Sequence, residues 1–281
     1  FPGKSAVLND ALAFAKGEAI LVFDADATMD PDFLTNLVYE LEPKDVGAVQ
    51  ARKVIRNKDF NFLTRCQNNE YTLDTHFQTG RDAVKGAAEL RGNGELIKRI
   101  AIEDIGGWNN YTITDDLDMS TRLHIKGWDI RFCPDACVYE EGIAYLFPLF
   151  RQRRRWLEGT IRRYLEYFGE AIKSKKMSLR ARLDMAIYIT QFIMPLWFLL
   201  SFITISLVIV PPPLLTTTLY LGFNINSNKN NTASINNTAP PIIKPIINPL
   251  FFFFSVFFSI NTSYSTLIIT FNIKNHIFLN M

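Results

Sequence analysis

The chain is poor in the residues that build disulfide frameworks and histidine metal sites, with three cysteines and three histidines among 281 residues. An odd number of scattered thiols, Cys66, Cys133 and Cys137, excludes a disulfide scaffold and fits a reducing compartment. Cys133 and Cys137 are spaced like half of a metal site, but no second pair follows, so ordinary buried thiols are the expectation. An excess of one charge is missing too. The net charge is +2, so total charge says little about partners; no nucleic-acid partner is expected. Phe1-Pro2 is neither an initiator Met nor a signal peptide, and it runs straight into a helical pattern, so an N-terminal part is expected to be missing.

What is present is unevenly spread. From Arg151 to Arg182 there are eleven Lys/Arg against three acids, Glu158, Glu166 and Glu170. The stretch Met185 to Val210 follows without a charged residue and exceeds the roughly 20 residues that cross a bilayer. This predicts a transmembrane helix over 184–210, with Gln191 and Pro195 as mild interruptions. Basic residues gather on the cytoplasmic side of spans, which puts the preceding chain in the cytoplasm. PPP at 211–213 stops the helix, and residues 211–245 read as a low-complexity segment dominated by Asn, Ile, Thr and Pro. A second span is expected at 246–271. The whole is then an integral, multi-pass membrane protein.

Ahead of this basic collar at 151–182, helical and buried-strand patterns alternate. SAVLNDALAFAK (5–16) has helical spacing, with Ser5 as its N-cap and Gly17 past its end. AILVFD (19–24) and VGAVQAR (46–52) are short apolar runs of the kind found in buried parallel strands. PDFLTNLVYEL (31–41) opens a helix with Pro in its first turn. Helical spacing covers 59–79, residues 84–98 are strand-like or irregular, a helix follows Asp115 and ends near Gly127, and WDIRFC makes a strand. The alternation predicts an α/β sheet with crossovers.

Three constellations offer chemistry. Asp24 and Asp26 follow a buried strand, where open α/β sheets bind ligands. They are either hard ligands for Mg²⁺ or Mn²⁺ beside a diphosphate, or solvated turn acids. Asp115 and Asp116 open a helix, Asp115 as its N-cap and Asp116 free to face a cleft as a general base; capping alone also explains the pair. Asp118 is expected to be solvated. RQRRRW (151–156) is either an interfacial helix meeting anionic lipid or a set in which Gln152 and Arg155 face phosphate while Trp156 offers a flat face to a sugar.

Together, GKSAVLNDAL (3–12), DAD (24–26), RGNGELIKR (91–99) with GGWN (106–109), TDD (114–116) and QRRRW (152–156) resemble the membrane-bound family-2 glycosyltransferases of GT-A fold, over about residues 1–170. That family includes cellulose, hyaluronan and chitin synthases. The resemblance implies a GT-A catalytic domain over 1–145, missing its N-terminal part, then interfacial basic helices over 146–183 and the membrane helices. It also implies Lys4, Asp24, Asp26, Gln152 and Arg155 as donor-binding residues. Asp24 and Asp26 would hold Mg²⁺ or Mn²⁺, Asp116 would be the catalytic base and Trp156 would bind the acceptor. The partners would be a UDP-sugar, a lipid or glycan acceptor and the bilayer. The family's first strand and uridine-binding acid are absent here, and Asp115 stands where many members have Glu.

YEEGI, RGNGELIKR and WLEGTIRRYLEYF look closer to the members that move glucose from UDP-glucose to diacylglycerol than to polymer synthases. The expected activity is inverting transfer of a hexose to diacylglycerol. The alternatives are a processive β-glucan or cellulose-like synthase and an inactive truncated copy.

Overall fold

The continuous apolar run AILVFD forms strand β1 (Ala19–Asp24), at whose two faces the core divides. In this computed structural model, which describes residues 3–192, 194–209 and 266–271, Ala19, Leu21 and Phe23 point to one side and Ile20 and Val22 to the other. Alternation along a strand makes this unavoidable. Helix α2 (Phe33–Leu41) covers the first face with Phe33, Leu34, Leu37 and Leu41. Helices α1 (Lys4–Phe14), α4 (Arg99–Asp104) and α5 (Asp115–Lys126) cover the second with Leu8, Ala101, Ile102, Met119 and Leu123. Each Leu, Ile, Val, Phe or Met among these contributes about 1.5–3 kcal/mol when fully buried.

The other strands are β2 (Thr28–Met29), β3 (Val46–Ile55), β4 (Glu95–Lys98), β5 (Asp129–Glu140) and β6 (Thr266–Phe271). The sheet order is β2-β5-β3-β4-β1-β6. It is mixed rather than parallel throughout, because β4 runs antiparallel to both β1 and β3, while β3 and β5 are parallel. β1, β3 and β5 therefore share a direction, and their C-terminal ends lie on one edge of the sheet.

Helix α3 (Phe62–Ala83) begins at a reciprocal cap: Thr64 N–H donates to Asn61 Oδ1 at 2.9 Å and Asn61 N–H to Thr64 Oγ1 at 3.0 Å. α5 stops at Gly127, whose φ of 94° is a left-handed conformation that glycine adopts without a Cβ penalty. α6 (Leu146–Lys173) contains the QRRRW stretch, and α7 (Leu179–Tyr188) follows. α6 is not purely interfacial, since Arg153 and Arg163 are buried in it.

Several local expectations shift. The first helix is capped at Gly3, not Ser5, and α5 at Thr114, not Asp115. β2 and α4 were not legible in the pattern, and only Glu95–Lys98 of the stretch 84–98 is strand.

The expected continuous span at 184–210 is not one helix. α7 ends at Tyr188, a 3₁₀ turn covers Ile189–Phe192, and α8 (Met194–Ile209) begins anew. Pro195 has no N–H to continue an i→i−4 ladder, and it occupies the first turn of the new helix instead. The 16 residues of α8 extend about 24 Å, short of the ~30 Å hydrocarbon core. Among the described residues no helix is long and apolar enough to cross a membrane. The low-complexity segment 211–245 and residues 246–265 of the expected second span lie outside the described residues, and 266–271 form β6 rather than helix. The described residues fall in two compact units, 3–186 with 266–271, and 187 onward to 209.

Candidate active site

The shared strand edge collects charge at the end of β1. Asp24 is half-exposed there, with Lys4 Nζ 3.2 Å from its Oδ1. The same ammonium donates to the carbonyl of Gly92 at 2.9 Å and lies 3.8 Å from Asp115 Oδ2. Burial works against its charge, but Asp115, Asp24, Glu95 and Asp116 outweigh that and raise its pKa. Lys4 is thus a fixed cation at the junction of β1 and α5. Asp26 is exposed in the turn after β1.

Among the described residues no group of three His, Cys, Asp or Glu could hold a metal. Mg²⁺ is commonly bound by one or two carboxylates together with substrate phosphates and water. Asp24 and Asp26, one half-exposed and one exposed, fit that mode as two hard oxygen donors open to solvent.

The RGNG loop is held in place from beneath. Gln50, fully buried on β3, accepts from Arg91 N–H at 2.6 Å and donates to the Asn93 carbonyl at 2.9 Å. Asn93 accepts Asp24 N–H at 3.2 Å and donates to Glu140 at 3.1 Å. Gly92 N–H donates to Glu95. Gly92 has φ 81°, and a Cβ there would come 3.3 Å from Asp116 Oδ2. The glycine therefore lets the loop lie against the carboxylate.

Asp115, Asp116 and Asp118 all lie in the first turn of α5. Burial, reinforced by Asp115, pushes the Asp116 carboxyl above the usual carboxylate range, against the Leu117 N–H, Lys4 and Arg91. Glu95, buried on β4, is pushed up by burial and by Asp116, with Lys4 opposing. Asp118 is not solvated: it is fully buried, 2.7 Å from Arg122 Nε one turn on, and it accepts from Asn109 at 3.1 Å and the Tyr167 hydroxyl at 2.8 Å.

On α6, the Arg153 guanidinium lies 4.1 Å from the Trp156 ring centroid, donates to Gln152 Oε1 at 3.1 Å and pairs with Glu70 at 2.6 Å. Arg155 is half-buried on the same helix. Lys53 on β3 lies 5.8 Å from the Trp156 centroid and 3.0 Å from Glu140, at the end of β5. The structure thus brings Lys4, Asp24 and Asp116 together around Gly92. It connects Trp156 to them through Lys53, Glu140 and Asn93. Gln152 is engaged with its neighbour Arg153. Sequence reasoning missed Lys53, Asn93, Glu95 and Glu140. The signal for Lys53, Glu95 and Glu140 was slight, a charge near the end or start of an apolar strand, and Asn93 is an uncharged loop residue with no such signal.

A mixed α/β sheet with this cluster at its strand ends is the architecture of a GT-A-like glycosyltransferase. The chain belongs to the family described as Glycosyl transferase family group 2, which matches residues 19–271. It is 45% identical over 194 residues to a β-monoglucosyldiacylglycerol synthase of Trichormus variabilis, covering 69% of this chain and 41% of that protein. It is 31% identical over 180 residues to a poly-β-1,6-N-acetyl-D-glucosamine synthase of Staphylococcus epidermidis, covering 63% and 43%. The chain thus spans well under half of these relatives. A solved mannosyltransferase of Pyrobaculum calidifontis, in complex with GDP-Man and Mn²⁺, shares the fold with TM-score 0.57 and 21% identity, covering 82% of this chain and 61% of that one.

Proposed function

We propose that the protein is an inverting hexosyltransferase that moves glucose from UDP-glucose to diacylglycerol at a membrane surface. The observation that carries this is Asp116, a carboxylate with a raised pKa lying against the glycine loop beside the Lys4–Asp24 pair. Such a group accepts a proton from a hydroxyl near neutral pH better than an ordinary Asp does. In the transfer, Asp116 takes the proton as the acceptor oxygen bonds to the anomeric carbon. The bond from that carbon to the diphosphate oxygen breaks on the opposite face, so configuration inverts. Lys4 holds Asp24 in place and faces the departing negative charge. Asp24 and Asp26 would hold Mg²⁺ or Mn²⁺, which when bound offsets charge on the leaving UDP. Gln152 and Arg155 line the diphosphate, and Trp156 packs on the acceptor.

Diacylglycerol is favoured over a growing polymer by the greater similarity to the glucolipid synthase. The bilayer is favoured by α8, which exposes Leu196, Trp197, Phe198 and Leu200 just after the basic collar. The catalytic residues are then cytoplasmic.

Membranes carrying the protein, supplied with radiolabelled UDP-glucose, Mg²⁺ and diacylglycerol, test the reading. Label is expected in chloroform-soluble lipid, reduced by about 10²–10⁴-fold in Asp116→Asn. Label in insoluble polymer would overturn the acceptor and favour a processive synthase. No transfer from any common UDP-sugar would favour an inactive copy.

A further inference from the structure

Lys53 stands where the strand-end cluster meets the helix that bears Trp156. Because β1, β3 and β5 share a direction, Asp24, Lys53 and Glu140 come to the same sheet edge. The Lys53 ammonium lies 3.0 Å from Glu140 Oε2 and 3.3 Å from the Arg91 carbonyl oxygen. It also lies 4.9 Å from the Tyr71 ring centroid and 5.8 Å from that of Trp156. An ammonium has three N–H donors. Two protein oxygens take two of them, and the third is left to the aromatic side.

Glu140 is held from three sides: it accepts from the Tyr71 hydroxyl, from Asn93 and from Lys53. The pair is recessed but reachable, with 13% of the Lys53 side chain and 12% of the Glu140 side chain exposed. Stability alone does not account for such a pair, since apolar residues of similar volume often serve as well or better in its place. What the pair does supply is a cation of fixed orientation, with one donor unspent, next to a half-buried indole.

We propose that Lys53 is an acceptor-reading residue, whose remaining N–H donates to an acceptor oxygen neighbouring the hydroxyl that is glycosylated while Trp156 covers the adjoining carbon skeleton. This rests on the hexosyl-transfer reading above. In diacylglycerol the oxygen is that of the ester next to the free hydroxyl. Lys53 therefore acts on recognition of the acceptor and not on the donor.

The test is initial-rate kinetics of the intact protein in membranes, varying diacylglycerol and UDP-glucose separately, alongside release of free glucose from UDP-glucose by water. Lys53→Met is expected to raise the acceptor KM about tenfold or more, the loss of a charge-assisted hydrogen bond. Donor KM and the hydrolysis rate should stay within about twofold, because neither involves the acceptor. Lys53→Arg should recover part of the acceptor affinity. An unchanged acceptor KM, or equal rises in both KM values, overturns the proposal and leaves Lys53 a packing residue. If Lys53→Met alone does not accumulate, Lys53→Met with Glu140→Gln removes both charges and must show the same split. Wild-type protein that labels polymer defeats the diacylglycerol reading, while Lys53 is then judged by the KM for polymer ends. Wild-type protein that transfers to neither overturns both.

Discussion

Glu89 and Glu95 lie six residues apart, and both are buried to within 2% of full exclusion from solvent, yet their surroundings drive them in opposite directions. Burial alone would raise both. At Glu89 it is overcome by Arg163 at 2.7 Å, Arg91 at 2.9 Å and Arg81 at 3.2 Å, and the carboxyl is held far below the usual carboxylate range. At Glu95 the neighbours are Asp116 and Asp115, with Lys4 as the opposing cation, and the carboxyl is raised. The difference lies in cation count, not depth. A carboxylate surrounded by arginines keeps its charge at any working pH and braces structure. One that shares a single lysine with three other acids can hold or release a proton. The first kind ties α6 to the segment leading into the RGNG loop, and the second kind surrounds that loop.

The comparison breaks most visibly at Glu89. Replacing it by Gln leaves the buried Arg163 and its neighbours without their shared anion, and losing one partner of a buried pair costs about 3–5 kcal/mol. Glu89→Gln is therefore expected to shift the denaturant midpoint strongly. Glu95→Gln should leave stability nearly unchanged near neutrality or raise it. Equal losses in the two variants would mean that burial, not cation count, decides.

Titration sharpens the same contrast. Glu89 has a folded pKa below its unfolded value of about 4.3, so its contribution is fully present above that pH and is lost as pH falls toward the folded value. Glu95 and Asp116 have folded pKa values above their unfolded ones. The folded state then binds extra protons, and their contribution declines as pH rises from about 4 through the raised values. Unfolding free energies measured across this range should show an acid limb that Glu89→Gln removes and a neutral limb that Glu95→Gln flattens. Transfer rate should rise with pH along a limb set above the ordinary carboxylate range, because Asp116 must be ionised to accept a proton.

The elements that periodicity reveals were legible: β1 as an apolar run, α5 with its acids in the first turn and its glycine at the end, and Asp24 at a strand terminus. Each is a local pattern. Glu89 was not legible, because its partners come from α3, its own segment and α6, 74 residues away in the case of Arg163. Asp118 was misread as solvated although Arg122 at i+4 was visible, since spacing shows that two side chains can meet but not that a second helix covers them. Asp115 was read as the cap, but Thr114 takes that position, and Asp115 lies 3.8 Å from Lys4 Nζ instead. The apolar run at 185–210 read as one span because hydropathy is blind to the backbone; the missing N–H of Pro195 divides it.

The smallest expected effect tests whether loop and base are matched. Gly92 holds φ 81°, and a methyl group there would sit 3.3 Å from Asp116 Oδ2. Gly92→Ala should cost about 1–2 kcal/mol from the left-handed backbone. Its effect on function should go beyond that, because the carboxylate must move by a few tenths of an ångström. Gly106 also has a positive φ but has open space around it, so Gly106→Ala carries the backbone strain alone. If both variants lose similar stability while only Gly92→Ala slows transfer, the close approach of the loop to Asp116 is functional. If transfer falls alike in both, the glycine serves the fold and the position of Asp116 is set elsewhere, by Lys4 and the start of α5.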